Sequence, residues 1–166
     1  MGKLGREIAG VTPEVRDDLM RAYADEWFAH YNYFFVSHAI HGPSAPPVAD
    51  LLRRKSEEAL ARADRIALRL IELGEPPVPK LTNLGDFASD KPFKLPDDLR
   101  DINGLLKAVL DADRTSIRTF QRLHELTRNR DSLTEALVLD MLRQAVAGEQ
   151  ELENLLSESA PEMTGR

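Results

Sequence analysis

The sequence predicts an all-α protein: one bundle of four long helices, with a single long crossover between the second and the third. Three observations carry that expectation. Apolar residues recur at helical spacing, and no segment sustains the two-residue alternation of a strand. Proline and glycine interrupt the chain at few places, leaving four stretches of about 26 to 32 residues, each roughly 40–48 Å long as a helix. The links between these stretches run short, long, short, which is the connectivity of a bundle with one crossover.

Each element has a physical start and stop. Thr12, Pro13 and Glu14 read as N-cap, first-turn proline and first-turn acid, so helix one starts there and nothing breaks it before His41-Gly42-Pro43. After a turn over Pro43 to Pro47, a second helix is expected from about Val48 to Leu73, stopped by Gly74 and Glu75-Pro76-Pro77. The third is expected to open near Asp97-Asp98, whose charges suit a helix N-terminus, and to close around Thr127 to Arg130. Asp131-Ser132 opens the fourth, with Ser132 and Glu135 at capping-box spacing, and it ends near Glu158, before Pro161. The chain thus divides into an arm over 1–11, the bundle over 12–158 and a tail over 159–166. The stretch from Glu75 to Pro96 holds five prolines, and its natural task is to run the length of the bundle and make helices two and three parallel.

The composition fits one domain and excludes several functions. The chain has 166 residues, 42% of them hydrophobic and 30% charged, enough apolar material for a real core. With 22 Lys plus Arg against 28 Asp plus Glu, the net charge is −6, a poor balance for binding nucleic acid or anionic membranes through the folded surface. Lys3 and Arg6 add only a weak basic arm. There is no cysteine, so disulfides, thiolate metal sites and cysteine nucleophiles are excluded. No apolar run is long enough for a bilayer, and the N-terminus shows no signal-peptide core, so a cytoplasmic protein is expected. Phosphate loops, serine-triad elbows and HExxH are all missing.

Four segments resemble one family. Glu26-Trp-Phe-Ala-His-Tyr-Asn-Tyr33 resembles the first helix of bacterioferritins, where a metal-binding Glu is followed by an Asn/Gln-Tyr pair. Ala63-Asp64-Arg65-Ile66 and Arg69-Leu70-Ile71-Glu72-Leu73-Gly74 resemble the end of the second helix in bacterioferritins and the starvation-induced Dps proteins. Leu110-Asp-Ala-Asp113 and Glu149-Gln-Glu-Leu-Glu-Asn-Leu-Leu156 are similar to their third and fourth helices. The resemblance spans nearly all of residues 12 to 158 and rests on pattern and topology. It implies the ferritin-like fold, a symmetric homo-oligomer built from two-fold dimers and extending to a shell, and iron oxidation and storage.

That chemistry needs one Glu from each of two helices and a Glu-x-x-His from each of the other two. Carried over residue by residue, Glu26 stands at the first-helix Glu and Asp113 at the third-helix Glu. The Glu-x-x-His positions fall on Ala59 and Arg62 in helix two and on Ala145 and Gly148 in helix four. Glu58 is one residue off, about 100° around the helix, and does not stand in. The apolar stripes give the same registration. Leu52, Ala59, Ala63, Ile66, Leu70 and Leu73 share one face of helix two. Leu106, Leu110, Asp113, Ile117 and Phe120 do so on helix three, and Val138, Met141, Ala145, Gly148, Leu152 and Leu155 on helix four.

Glu26 and Asp113 are thus expected inside an apolar bundle, where bare carboxylates are costly or hold a proton. Arg62, near the same level, offers a guanidinium that neutralises them. One reading is therefore an internal salt bridge at a former metal site, with no cofactor at the bundle centre. Another keeps a metal on Glu26 and Asp113 with help from a further group, and iron enters by the resemblance. Function divides in the same way, between a cage subunit with a degenerate ferroxidase centre and a metal-free structural or interaction protein. Haem is not expected, because Leu60 stands where bacterioferritins place the axial Met.

Helix one carries Trp27, Phe28, Tyr31, Tyr33, Phe34 and Phe35 on more than one face, so a second side must be covered besides the core. Trp27, Phe34 and Phe35 are expected at a two-fold contact between antiparallel first helices, where aromatics are enriched. A Dps-type inter-subunit metal site could draw on His38 and Asp64, with His41 nearby, but Leu68 takes its Glu position.

Overall fold

The computed structural model describes residues 11–89 and 95–158. The predicted arm over 1–11, apart from Val11, lies outside the described residues, as does the predicted tail over 159–166. Four α-helices make up the bundle: α1 (Pro13–Ala39), α2 (Ala45–Glu72), α3 (Ile102–Thr127) and α4 (Ser132–Glu158). A short 3₁₀ helix, Leu81–Asp86, lies in the crossover between α2 and α3. Helix α1 packs along α2 and α3 along α4, while α1 with α3 joins the two pairs. Helices α2 and α4 touch over a much shorter stretch. No strand occurs among the described residues.

The helix ends follow local chemistry, with three shifts from the sequence expectation. Thr12 caps α1 by accepting from the Val15 amide at 3.3 Å, with Pro13 in the first turn. Helix α2 begins at Ala45 rather than Val48, because Pro46 and Pro47 fit a first turn whose amides need no helical partner. It stops where Gly74 takes φ +87°, a left-handed conformation that glycine adopts at little cost. Helix α3 begins at Ile102, not at Asp97-Asp98. Asp101 is the cap, accepting from the Gly104 amide at 2.9 Å, while Asp98 sits in the preceding turn and pairs with Arg100. For α4 the capping carboxylate is Asp131, which accepts from the Thr134 amide at 3.2 Å. Glu135 accepts from the Asn129 amide at 3.3 Å, so the cap rests on Asp131 and the expected Ser132–Glu135 box does not form.

Two apolar clusters fill the bundle, one toward each end. The first joins Tyr33, Val36, Leu52, Leu105, Leu106, Val109 and Leu152. The second joins Leu19, Ile66, Leu70, Phe120, Leu123, Val138 and Met141. Full burial of such a side chain contributes about 1.5–3 kcal/mol. The stripes read from the sequence are buried at Leu52, Ala59, Ala63, Ile66 and Leu70 on α2, and at Val138, Met141, Ala145 and Leu152 on α4. Between the clusters, Glu26, Lys55 and Asp113 are also buried, each less than a tenth exposed. No described helix is long and apolar enough to cross a membrane.

Candidate functional site

The charged layer between the two clusters holds Glu26, Arg62 and Asp113, the residues that the sequence resemblance singled out. Glu26 on α1 is 1% exposed, and its Oε2 stands 2.9 Å from Arg62 Nη2 on α2. The contact is a charge pair rather than an aligned hydrogen bond: Glu26 Oε2 and Arg62 Nε have no hydrogen-bond partner among the described residues. Burial raises the Glu26 carboxyl above its ordinary pKa, and the Arg62 charge opposes that rise. For Arg62 burial works against ionisation, but the Glu26 charge outweighs it and the guanidinium is held above its usual value.

Asp113 on α3 has its own partners. Lys55 on α2 donates from Nζ to Asp113 Oδ2 at 2.6 Å, and the Tyr33 hydroxyl on α1 donates to Oδ1 at 3.2 Å. Burial first, then the nearby Asp113 and Glu26 charges, push the Tyr33 hydroxyl well above its ordinary pKa. So the sequence registration brings Glu26, Arg62 and Asp113 into one layer, with Ala59 and Ala145 buried in the helices around it. Arg62 pairs with Glu26, while Asp113 takes a different cation.

Lys55 is the residue that sequence reasoning missed. A signal was present: Leu52, Lys55, Ala59 and Arg62 recur at spacings of three and four, which places a lysine on the core stripe. Lysine is almost never buried unless paired, so its place on that stripe called for a carboxylate opposite. The same pair accounts for Gly148. A Cβ built there would stand 2.9 Å from Lys55 Nζ and 3.0 Å from Asp113 Oδ2, closer than side chains pack.

These residues do not fit a pair of metal ions. Each buried carboxylate already faces a fixed cation, Arg62 or Lys55, and the position that would carry the helix-four His is a glycine whose Cβ space adjoins the ammonium. Among the described residues no group of three or more His, Asp or Glu side chains could hold a metal.

The histidines are placed apart from this layer. His30 Nδ1 lies 2.9 Å from Ser56 Oγ, and His38 Nδ1 lies 2.8 Å from the Phe34 carbonyl. His41 is exposed, with Nδ1 3.3 Å from the Ala39 carbonyl, and Asp64 is exposed on α2. On the outer side of α1, Phe34 and Phe35 are 51% and 45% exposed, beside Phe28 and Tyr31. Tyr31, Phe34, Phe35, His38 and Ala39 line an open groove of about 320 Å³. Trp27 is half-buried, with Tyr23 and His30 edge-on at ring-centre distances of 6.4 and 5.8 Å.

Known proteins share this architecture. A DNA protection during starvation protein from Pyrococcus furiosus is 24% identical over 139 residues, covering 84% of this chain and 75% of that protein. The bacterioferritin-related protein of Bacteroides fragilis, described as a dodecameric thioferritin, superposes with a TM-score of 0.87 at 24% identity, over 95% of this chain and 94% of its own. Dps from Thermosynechococcus elongatus superposes at 0.80 with 17% identity, over 92% and 95% of the two chains. At these identities the structural likeness establishes the fold. The Ferritin family, described as a ferritin-like domain, matches residues 16–160, most of the chain. The chain therefore belongs to the ferritin-like domain family.

Proposed function

We propose that this chain is a subunit of a homo-oligomeric ferritin-like shell whose bundle centre is held together by internal ion pairs and does not oxidise iron. The observation that carries the reading is the Arg62–Glu26 pair at 2.9 Å, with Ala59, Ala145 and Gly148 at the remaining ligand positions. A guanidinium against a buried carboxylate supplies the neutralising charge that a metal ion otherwise would, and it supplies it without exchange with solvent.

Assembly is supported by the uncovered aromatic side of α1. Trp27, Phe34 and Phe35 form the proposed two-fold contact, with the groove at Tyr31, Phe34 and Phe35 receiving the partner's copy of the same side. The dodecameric Bacteroides fragilis protein is a chain of this fold that assembles into a homo-oligomer, which supports the reading. The net charge of −6 argues against DNA as a partner of the folded surface.

Two measurements on the purified protein test the reading together. Aerobic Fe(II) should oxidise no faster with the protein than with buffer, and elemental analysis should find no iron stoichiometric with the chain. Sedimentation at micromolar concentration should show a species larger than the monomer. Iron bound at one or two per chain at Glu26 and Asp113, or a monomer in sedimentation, would overturn the corresponding half.

A further inference from the structure

Asp113 and Lys55 differ from Glu26 and Arg62 in the shape of the place the cation occupies. Asp113 Oδ2 receives Lys55 Nζ at 2.6 Å, and its other oxygen is held by the Tyr33 hydroxyl at 3.2 Å, so the carboxylate is fixed from both sides. Opposite stands the backbone of α4 at Gly148, where any Cβ would press on both Nζ and Oδ2. Gly148 also lines an open groove of about 450 Å³ between α2 and α4, with Arg54, Arg62, Gln144, Ala147 and Glu151. Glycine inside a helix is ordinarily unfavourable relative to alanine, and its presence in α4 therefore has a local cause.

We propose that Asp113, Tyr33 and the gap at Gly148 form a seat for a primary ammonium ion, filled in this chain by its own Lys55. The seat suits that cation in three respects. An ammonium is a compact point charge that approaches one carboxylate oxygen closely, whereas a guanidinium is a broad planar fork. The missing Cβ leaves free the space beside Nζ and Oδ2 that a side chain at 148 would press into. The second carboxylate oxygen is already taken by Tyr33, so the site offers one short contact rather than two parallel ones. The inference rests on the reading that the centre works without metal, and it assigns Lys55 and Gly148 to one unit: the glycine admits the amine, and the amine requires the glycine.

The test combines truncation, rescue and a double-mutant comparison. Lys55→Ala should lower the melting temperature. Propylammonium at millimolar concentration should recover part of that loss with saturation, while tetramethylammonium, which has no N–H to donate, should not. Gly148→Ala should lower the melting temperature more with Lys55 present than in the Lys55→Ala background, where the 3.0 Å approach to Asp113 Oδ2 is the contact left. If Lys55→Ala does not fold, the wild-type protein still reports. One slowly exchanging lysine ammonium resonance is expected by NMR, shifted by Gly148→Ala. Equal rescue by both ammonium ions, a Gly148→Ala change that stabilises with Lys55 present, or lysine ammoniums that all exchange fast would overturn the seat. Iron found at Glu26 with that difference between backgrounds intact would overturn the metal-free reading and leave the seat standing.

Discussion

Arg62 Nη2 stands 2.9 Å from Glu26 Oε2 in the middle of the bundle, joining α2 to α1 in the charged layer between the two apolar clusters. Breaking such a pair is costly because the surviving charge stays buried. Arg62→Leu should destabilise the protein by about 3–5 kcal/mol in denaturant unfolding. Adding Glu26→Gln removes the stranded charge and should recover much of the loss. Equal stability of Arg62→Leu and the wild type would show that the pair carries no weight.

Lys55 changes how the ligand set could be rebuilt. Ala59→Glu, Arg62→His, Ala145→Glu and Gly148→His restore the family pattern around Glu26 and Asp113, but the Gly148 change drives its Cβ to 2.9 Å from Lys55 Nζ. The fourfold variant should therefore take up Co(II) poorly, and adding Lys55→Leu should create tight binding with the visible absorption of bound Co(II). Tight binding in the fourfold variant would mean that Lys55 swings out of the site without cost.

The outer side of α1 predicts assembly behaviour. Phe35→Glu places a charge on a side chain that is 45% exposed in the single chain and covered in the proposed two-fold contact. Sedimentation velocity should show dissociation toward a folded monomer, with unchanged helical circular dichroism. Retention of the wild-type assembly would place the contact elsewhere.

A third buried pair gives a pH signature. Arg69 Nη2 donates to both Asp131 oxygens at 2.9 Å, and the Thr134 amide adds a third bond. Burial raises the Asp131 carboxyl, but the Thr134 and Arg69 contacts outweigh it and the pKa falls below the ordinary 3.8. A depressed acid stabilises the fold above its unfolded pKa and loses that contribution as the pH falls through its folded value. Asp131→Asn should therefore cost most at neutral pH, and the gap from the wild type should close progressively below 3.8. A gap independent of pH down to acid unfolding would assign the effect to packing alone.

Beside Glu26, the crossover is tied to α1 through Asp25. Asp25 accepts from the Ser89 amide at 2.7 Å and from its hydroxyl at 2.6 Å, which fixes the chain just past the 3₁₀ helix. Asp25→Ala leaves that amide without its acceptor and should cost about 1–3 kcal/mol of stability. It should also speed amide hydrogen exchange at Ser89, while unchanged exchange there would mean the crossover is held by other contacts.

The sequence by itself determined the four helices, their antiparallel pairs and the long crossover, because these depend on periodicity, caps and proline placement, all local in the chain. It also determined which residues face inward, and so brought Glu26, Arg62 and Asp113 to one level. Helix starts were legible only to within a turn: Pro46 and Pro47 read as breakers until their first-turn position excused the missing amides, and Asp97-Asp98 competed with Asp101 for the cap of α3. What only the tertiary structure decided was the pairing. Whether Arg62 neutralises one carboxylate or two depends on side-chain reach across three helices, and the spacing within one helix says nothing of that. Lys55 meets Asp113 where α4 passes so close that a Cβ at Gly148 would crowd both partners.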